Sequence, residues 1–159
     1  MQLYKKILVT LDCSPVDDTI IKHVSALAIQ NSAKVYLLHV VHSHTLDQHR
    51  ALKEKAESCL ESHCINMESQ KIEVYKVIRD GEPADEILDE IENNDYDLVA
   101  MATHGHTFIG DLLFGSVSKS LKHKIKVPLL LLKQDDELIT GGKKRGQSRK
   151  IKKSTEAPG

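Results

Sequence analysis

Asp97-Leu98-Val99-Ala100-Met101-Ala102-Thr103-His104-Gly105, followed nine residues later by Gly115-Ser116, is the stretch that decides the fold. The apolar run from Tyr96 to Ala100 leads a buried strand, Asp97 to Thr103, into a glycine-bearing loop. Gly115-Ser116 then opens Val117-Ser118-Lys119-Ser120-Leu121, which reads as a helix. A strand, a glycine loop and a Gly-Ser helix start can hold phosphate. Glycines let backbone N–H groups approach an anion with no Cβ between them, and a helix N-terminus adds unpaired donors and the positive end of its dipole. Two glycines ten residues apart are weak evidence alone, so the flanking elements must make the case.

Upstream, Lys5 to Leu11 reads as a short apolar strand that stops at Asp12. Ser14-Pro15 offers an N-cap and a proline at the first helical position, and Asp17 and Asp18 suit the first turn. Ile20, Ile21, Val24, Leu27 and Ala28 keep helical spacing to about Gln30. Val35 to Val41 is a second strand, almost continuously apolar as a strand covered on both faces should be. A histidine-rich loop, His42 to His49, precedes a helix over Arg50 to Cys64. The third strand, Ile72 to Ile78, is partly polar and reads as an edge. Arg79-Asp80-Gly81 turns, and Pro83 opens a helix through Ile87, Leu88 and Ile91 to Asn93-Asn94. A last helix, about Ser116 to His123, leads to a fifth strand, Lys126 to Lys133.

Strands alternating with helices imply right-handed βαβ units. The expected fold is α/β: an open parallel five-stranded sheet, order 3-2-1-4-5, Rossmann-like, with helices on both faces. Residues 1–138 make the domain, and residues 139–159 read as a basic, disordered tail with almost no apolar residues.

The 159 residues suit one domain, and 40% hydrophobic with 28% charged residues is ordinary for a globular protein. Aromatics make up only 4%, so Ile, Leu, Val and Ala must build the core. Apolar runs such as Val127 to Leu132 fall far short of the roughly 20 residues a membrane helix needs, so no membrane partner is expected. Asp12 interrupts any leader-like start, which points to a cytoplasmic protein. Cys13, Cys59 and Cys64 form no CxxC and read as free thiols of a reducing compartment. Residues 143–159 hold seven basic residues against Glu156, a charge of +6; taking that from the total of −1 leaves −7 for residues 1–142. An acidic body is not a conventional DNA-binding domain. The tail is the one place where nucleic acid or an acidic partner could dock; otherwise it is a solubilising extension.

In an open parallel sheet, ligands bind beyond the carboxyl ends of strands where the order reverses. With order 3-2-1-4-5, Leu11-Asp12 and Met101 to Gly105 flank that crevice. Asp12 then meets a ribose hydroxyl or an adenine amine, while Gly105, Gly115 and Ser116 face phosphates. Asp12 also has a plainer reading, as the start of the Asp12-Cys13-Ser14-Pro15 cap. Ser116 and Ser118 likewise suit helix capping as well as phosphate. His42-Ser43-His44 with His49 lacks a carboxylate or Cys partner in register for a metal and reads as a solvated loop. No G-x4-G-K-[ST] is present, and no Ser-His-acid or paired-carboxylate spacing, so any enzyme activity is at most that of a slow ATPase.

Together these residues resemble the universal stress protein family, in its ATP-binding branch, over nearly all of residues 4–133. Lys5-Lys6-Ile7-Leu8-Val9-Thr10-Leu11-Asp12 looks like its first strand and Leu37-Leu38-His39-Val40-Val41 like its second. Gly81-Glu82-Pro83 resembles its Gly-x-Pro turn, and Gly105, nine residues, then Gly115-Ser116 match the second half of G-x2-G-x9-G-[ST]. The first glycine of that pattern is Ala102, and His106 stands where the family often has Arg or Lys. The resemblance implies an adenine nucleotide α-hydrolase-like fold binding ATP with Mg2+. Leu11 and Asp12 would close the first strand, and Val40 would meet adenine through its backbone. Met101, Ala102 and His104 would line the ribose side, with Gly105, Gly115, Ser116, Val117 and Ser118 at the phosphates. It further implies a stress-response switch or sensor that pairs as a homodimer through Val127 to Leu132 and serves an unknown protein partner. The alternative is an interaction module of the same fold that binds no nucleotide.

Overall fold

A computed structural model describes residues 2–103, 121 and 124–133. Among these, strands and helices alternate: β1 (Lys6–Thr10), α1 (Val16–Asn31), β2 (Lys34–Val41), α2 (Leu46–Ser69), β3 (Val74–Asp80), α3 (Pro83–Glu92), β4 (Leu98–Thr103) and β5 (Leu129–Lys133). The strands form one parallel sheet, as the alternation of elements implies, in the expected order β3-β2-β1-β4-β5. Val9 of β1 lies in register with Leu37 of β2 on one side and Ala100 of β4 on the other. The carboxyl ends of these three strands therefore open side by side.

Apolar residues on consecutive positions of β1 and β4 are what a sheet covered on both faces requires. Ile7, Val9, Leu11, Leu37, Ala100 and Ala102 pack on one face against α1 and α2. Leu8, Leu38, Val99 and Met101 pack on the other against Ile87 and Ile91 of α3, with Tyr96 and Leu121. A one-residue slip would exchange the two sets, so the cores themselves hold the register. Asp97 pins the start of β4 to β1, its Oδ2 accepting from the Lys5 and Lys6 N–H groups at 2.7 and 2.9 Å. β5 lies at one edge of the sheet with Leu131 exposed. No helix among the described residues is long and apolar enough to cross a membrane.

Several local expectations are corrected. Ser14 does not cap α1: Pro15 is the N-cap residue, and the buried Ser14 Oγ has no hydrogen-bond partner among the described residues. Carboxylates organise that turn instead, because Asp12 Oδ1 accepts the Ser14 N–H at 3.0 Å. α2 is longer at both ends than Arg50 to Cys64. Thr45 starts it four residues earlier, its Oγ1 accepting the Gln48 N–H at 3.2 Å in the manner of a capping box. Its buried stripe of Ala56, Leu60 and Cys64 continues to Met67, which carries the helix past Cys64. β3 begins two residues later than Ile72, where Val74 first pairs with Val35. The edge position expected from its mixed composition is correct. The expected helix from Ser116 to His123 falls largely outside the described residues, although Leu121 is helical and buried. The tail, residues 139–159, lies wholly outside them.

Candidate functional site

Where β1 ends, the chain must turn from a buried strand into α1 within a few residues. Leu11 still belongs to the sheet, its N–H donating to the Leu38 carbonyl at 2.8 Å. Cys13 then takes a left-handed conformation, φ 61°, which bends the loop sharply. Asp17, on the first turn of α1, reaches back into this bend. Its Oδ2 accepts the Cys13 N–H at 2.8 Å and its Oδ1 the Asp12 N–H at 3.4 Å. Asp17 is 1% exposed. Burial, and then the neighbouring Asp12 charge, push its carboxyl up to about 8. A buried acid crowded by a second acid is an arrangement more common at functional sites than elsewhere.

Beyond this loop lies a small cleft that opens to solvent. Leu11, Ile20, Leu38, Val40, Ile87 and Ala102 provide its apolar walls. Thr10, Asp12, Asp17 and His39 provide its polar groups. Four sequence-predicted site residues, Leu11, Asp12, Val40 and Ala102, thus come together from β1, β2 and β4. Met101 does not join them; it is buried in the core facing α3. His104, Gly105, Gly115, Ser116, Val117 and Ser118, with His106, lie outside the described residues. The described lining sets apolar walls beside the carboxyl groups of Asp12 and Asp17.

His39 is a cleft residue that the sequence reading passed over. Its Nδ1 lies 2.8 Å from the Leu11 carbonyl, and a carbonyl can only accept, so this nitrogen donates. A histidine inside the otherwise apolar run Val35 to Val41 was the available signal.

The expectation of three free thiols is also corrected. Cys13 and Cys59 are joined in a disulfide, their Cα atoms 6.0 Å apart across 46 residues of sequence. The bend at Cys13 brings it onto α2, a meeting that no local spacing announces. Cys64 remains a free thiol, buried, with burial pushing its pKa up. The histidine-rich segment differs from expectation as well. His49 sits on α2 and pairs through Nε2 with Asp80 at 2.6 Å, and His42 lies 3.6 Å from Glu82, so carboxylate partners do exist at the end of β3. Among the described residues, the group with metal-ligand chemistry in reach is Cys13, Asp17 and Cys59.

A sequence model of the universal stress protein family matches residues 3–133. Universal stress protein MJ0577 of Methanocaldococcus jannaschii is 26% identical over 156 residues, spanning 83% of this chain and 96% of that protein. Universal stress protein MJ0531 of the same organism is 29% identical over 142 residues, spanning 83% of this chain and 84% of that one. The solved structure of MJ0577 superposes with a TM-score of 0.69 at 30% identity, covering 84% of this chain and 99% of that one. The universal stress protein from Archaeoglobus fulgidus in complex with dAMP shares the fold, with a TM-score of 0.62 at 19% identity over 81% of this chain and 98% of that one.

Proposed function

The chain belongs to the universal stress protein family, and we propose on that premise that it binds an adenine nucleotide, ATP with Mg2+, as a slow switch or sensor. The observation that carries this reading is the cleft. It stands at the reversal point of the sheet, with β2 on one side of β1 and β4 on the other, where open parallel sheets take their ligands. Relatives solved with dAMP and with cAMP support adenine as the base. Adenine enters beside the Val40 backbone and ribose beside Leu11, Asp12 and Ala102. Met101 shapes that wall from behind. His104, Gly105, Gly115, Ser116, Val117 and Ser118 take the triphosphate side.

Hydrolysis is slow at best. His39 is tied to the Leu11 carbonyl, and Asp17 is held by two backbone N–H groups, so neither is placed to activate water. A turnover above about 1 s⁻¹, the low end of ordinary enzymes, would overturn the switch reading. The protein works in the cytoplasm as a homodimer. Its apolar edge strand β5, with Leu131 exposed, pairs across a two-fold axis, which removes an aggregation-prone edge. An unknown protein partner reads the nucleotide state, and the basic tail either serves as a solubilising extension or docks an acidic partner or nucleic acid weakly and in a salt-dependent way.

Ala102 favours a second reading. Its methyl lines the cleft where the family pattern has glycine, and an interaction module that binds no nucleotide would tolerate that. Native mass spectrometry of freshly purified protein, followed by ATP titration, separates the two. Adenine nucleotide at one per subunit, lost on Gly115→Val, is the expected result. An empty dimer that ignores millimolar ATP would leave the interaction module.

A further inference from the structure

The sulfurs of Cys13 and Cys59 and a carboxylate oxygen of Asp17 lie within 4.8 Å of one another. Zinc–thiolate bonds of about 2.3 Å place two tetrahedral sulfur ligands about 3.8 Å apart, so the bonded sulfurs must separate on reduction, and the fold already gathers all three donors in one place. They come from separate elements: the β1–α1 loop, the first turn of α1 and the middle of α2. Asp17 is buried, and the Cys13 and Asp12 N–H groups aim its carboxylate, the outer-shell support that metal-binding carboxylates usually have. Two thiolates and a carboxylate are a donor set that selects zinc over magnesium or calcium.

We propose that, once the Cys13–Cys59 disulfide is reduced, Cys13, Cys59 and Asp17 hold one Zn2+ with water in the fourth position. The two sulfurs thereby alternate between a covalent bond and a metal site. The reductant is a dithiol: it gives two electrons and two protons to the protein disulfide and becomes a disulfide itself. Zn2+ then displaces both thiol protons, and the Asp17 carboxyl proton where it is held, to solvent without further electron transfer. Cys13 adjoins Asp12, so this centre shares a wall with the cleft. It goes beyond the nucleotide reading and stands whether or not that reading holds.

The test uses the full chain without nucleotide. Reduced and oxidised protein, their disulfide state verified by mass, are dialysed against micromolar zinc, and bound metal is counted. The expected result is one zinc per reduced chain and none retained by the oxidised chain. Co2+ as a probe should show thiolate-to-metal charge transfer and tetrahedral d–d bands in the reduced wild type, a readout that needs no variant to fold. Cys59→Ser and Asp17→Asn should lose the metal, whereas Cys64→Ser and His49→Gln should keep it. The proposal fails if the reduced chain takes up no zinc. It fails equally if Co2+ shows no thiolate band, or if binding survives Cys59→Ser or disappears with His49→Gln.

Discussion

At the end of β3, three carboxylates converge on one guanidinium; at the end of β1, two carboxylates meet in the turn into α1. Arg79 reaches Glu86 through Nε at 2.8 Å, Glu90 through Nη1 at 2.9 Å, and Asp89 through Nη2. Glu90 is 7% exposed, and its other oxygen accepts the Tyr96 hydroxyl at 2.7 Å. Burial and then that bond raise the Tyr96 pKa, while Glu86 first and Glu90 next secure the charge on Arg79. Asp17, in contrast, is more deeply buried than Glu90 and has only backbone N–H groups and Asp12 to answer it. Where charge is balanced, the carboxylates hold β3 to α3. At the end of β1 the second acid, after burial itself, raises the cost of charging Asp17, a crowding of carboxylates more common at functional sites than elsewhere.

The sharpest way to break this comparison is Arg79→Ala. It strands Glu90 in the interior with Tyr96 and the Asn94 side-chain amide as its remaining partners. Removing one member of a buried ion pair costs about 3 kcal/mol, here toward the low end of the usual range because Asp89 and part of Arg79 face solvent. Urea unfolding should show that loss. A change below about 1 kcal/mol would mean that the clamp is ornamental and that charge balance does not separate the two regions.

The β1 end should respond to pH with the opposite sign from an ordinary paired aspartate. Folding raises the Asp17 pKa from 3.8 to about 8, so between those values the native chain binds more protons than the unfolded one. Stability is therefore complete below about pH 4 and is lost as pH rises toward 8. Between pH 5 and 7.5 the wild type should lose on the order of 2 kcal/mol relative to Asp17→Asn, which stays neutral throughout. Urea midpoints of the disulfide form in chelator would show the wild-type curve falling with pH while the Asp17→Asn curve does not follow it. Parallel curves would mean that Asp17 is ionised in the native protein and that the contrast with Glu90 is false.

How legible each region was in the sequence follows from the range of the contacts that make it. Period-two and period-3.6 patterns are local, and so the alternation of elements and the parallel sheet could be read from Ile7 to Val9, Val35 to Val41 and Leu98 to Met101, whereas the order of the strands came with the expected fold class. Local capping was readable in principle too; Thr45-Leu46-Asp47-Gln48 announces the start of α2, and passing it over cost four residues of helix. That Asp12 and Ala102 lie near each other was legible because strand ends at a reversal point must meet, whereas Val40 came from the family resemblance. Cys13 with Cys59, and His39 with Leu11, were not, because a left-handed bend and the placement of α2 on the sheet bring them together across 46 and 28 residues. The Arg79 clamp is intermediate. Its acids fall on α3 at Glu86, Asp89 and Glu90, i, i+3 and i+4, and one helix face toward Arg79 could have been expected from that spacing.

The smallest effect sharpens the comparison most finely, because it asks whether turn and clamp are one unit. Gly81 has φ +143°, a conformation L side chains rarely adopt, and an added Cβ would stand 2.9 Å from Glu86 Oε1, the residue that Arg79 holds. The end of that carboxylate can swing aside, so Gly81→Ala should cost chiefly backbone strain, about 1 kcal/mol. Swinging aside also loosens the Arg79–Glu86 bond at 2.8 Å. In an Arg79→Ala background that bond no longer exists, and Gly81→Ala should then cost less than it does in the wild type. A coupling of about 0.5 kcal/mol or more in the double-mutant cycle would tie the Gly-x-Pro turn to the clamp. Strict additivity would confine the glycine's role to its own backbone, leaving the balance of charge at the end of β3 to Arg79 and its acids alone.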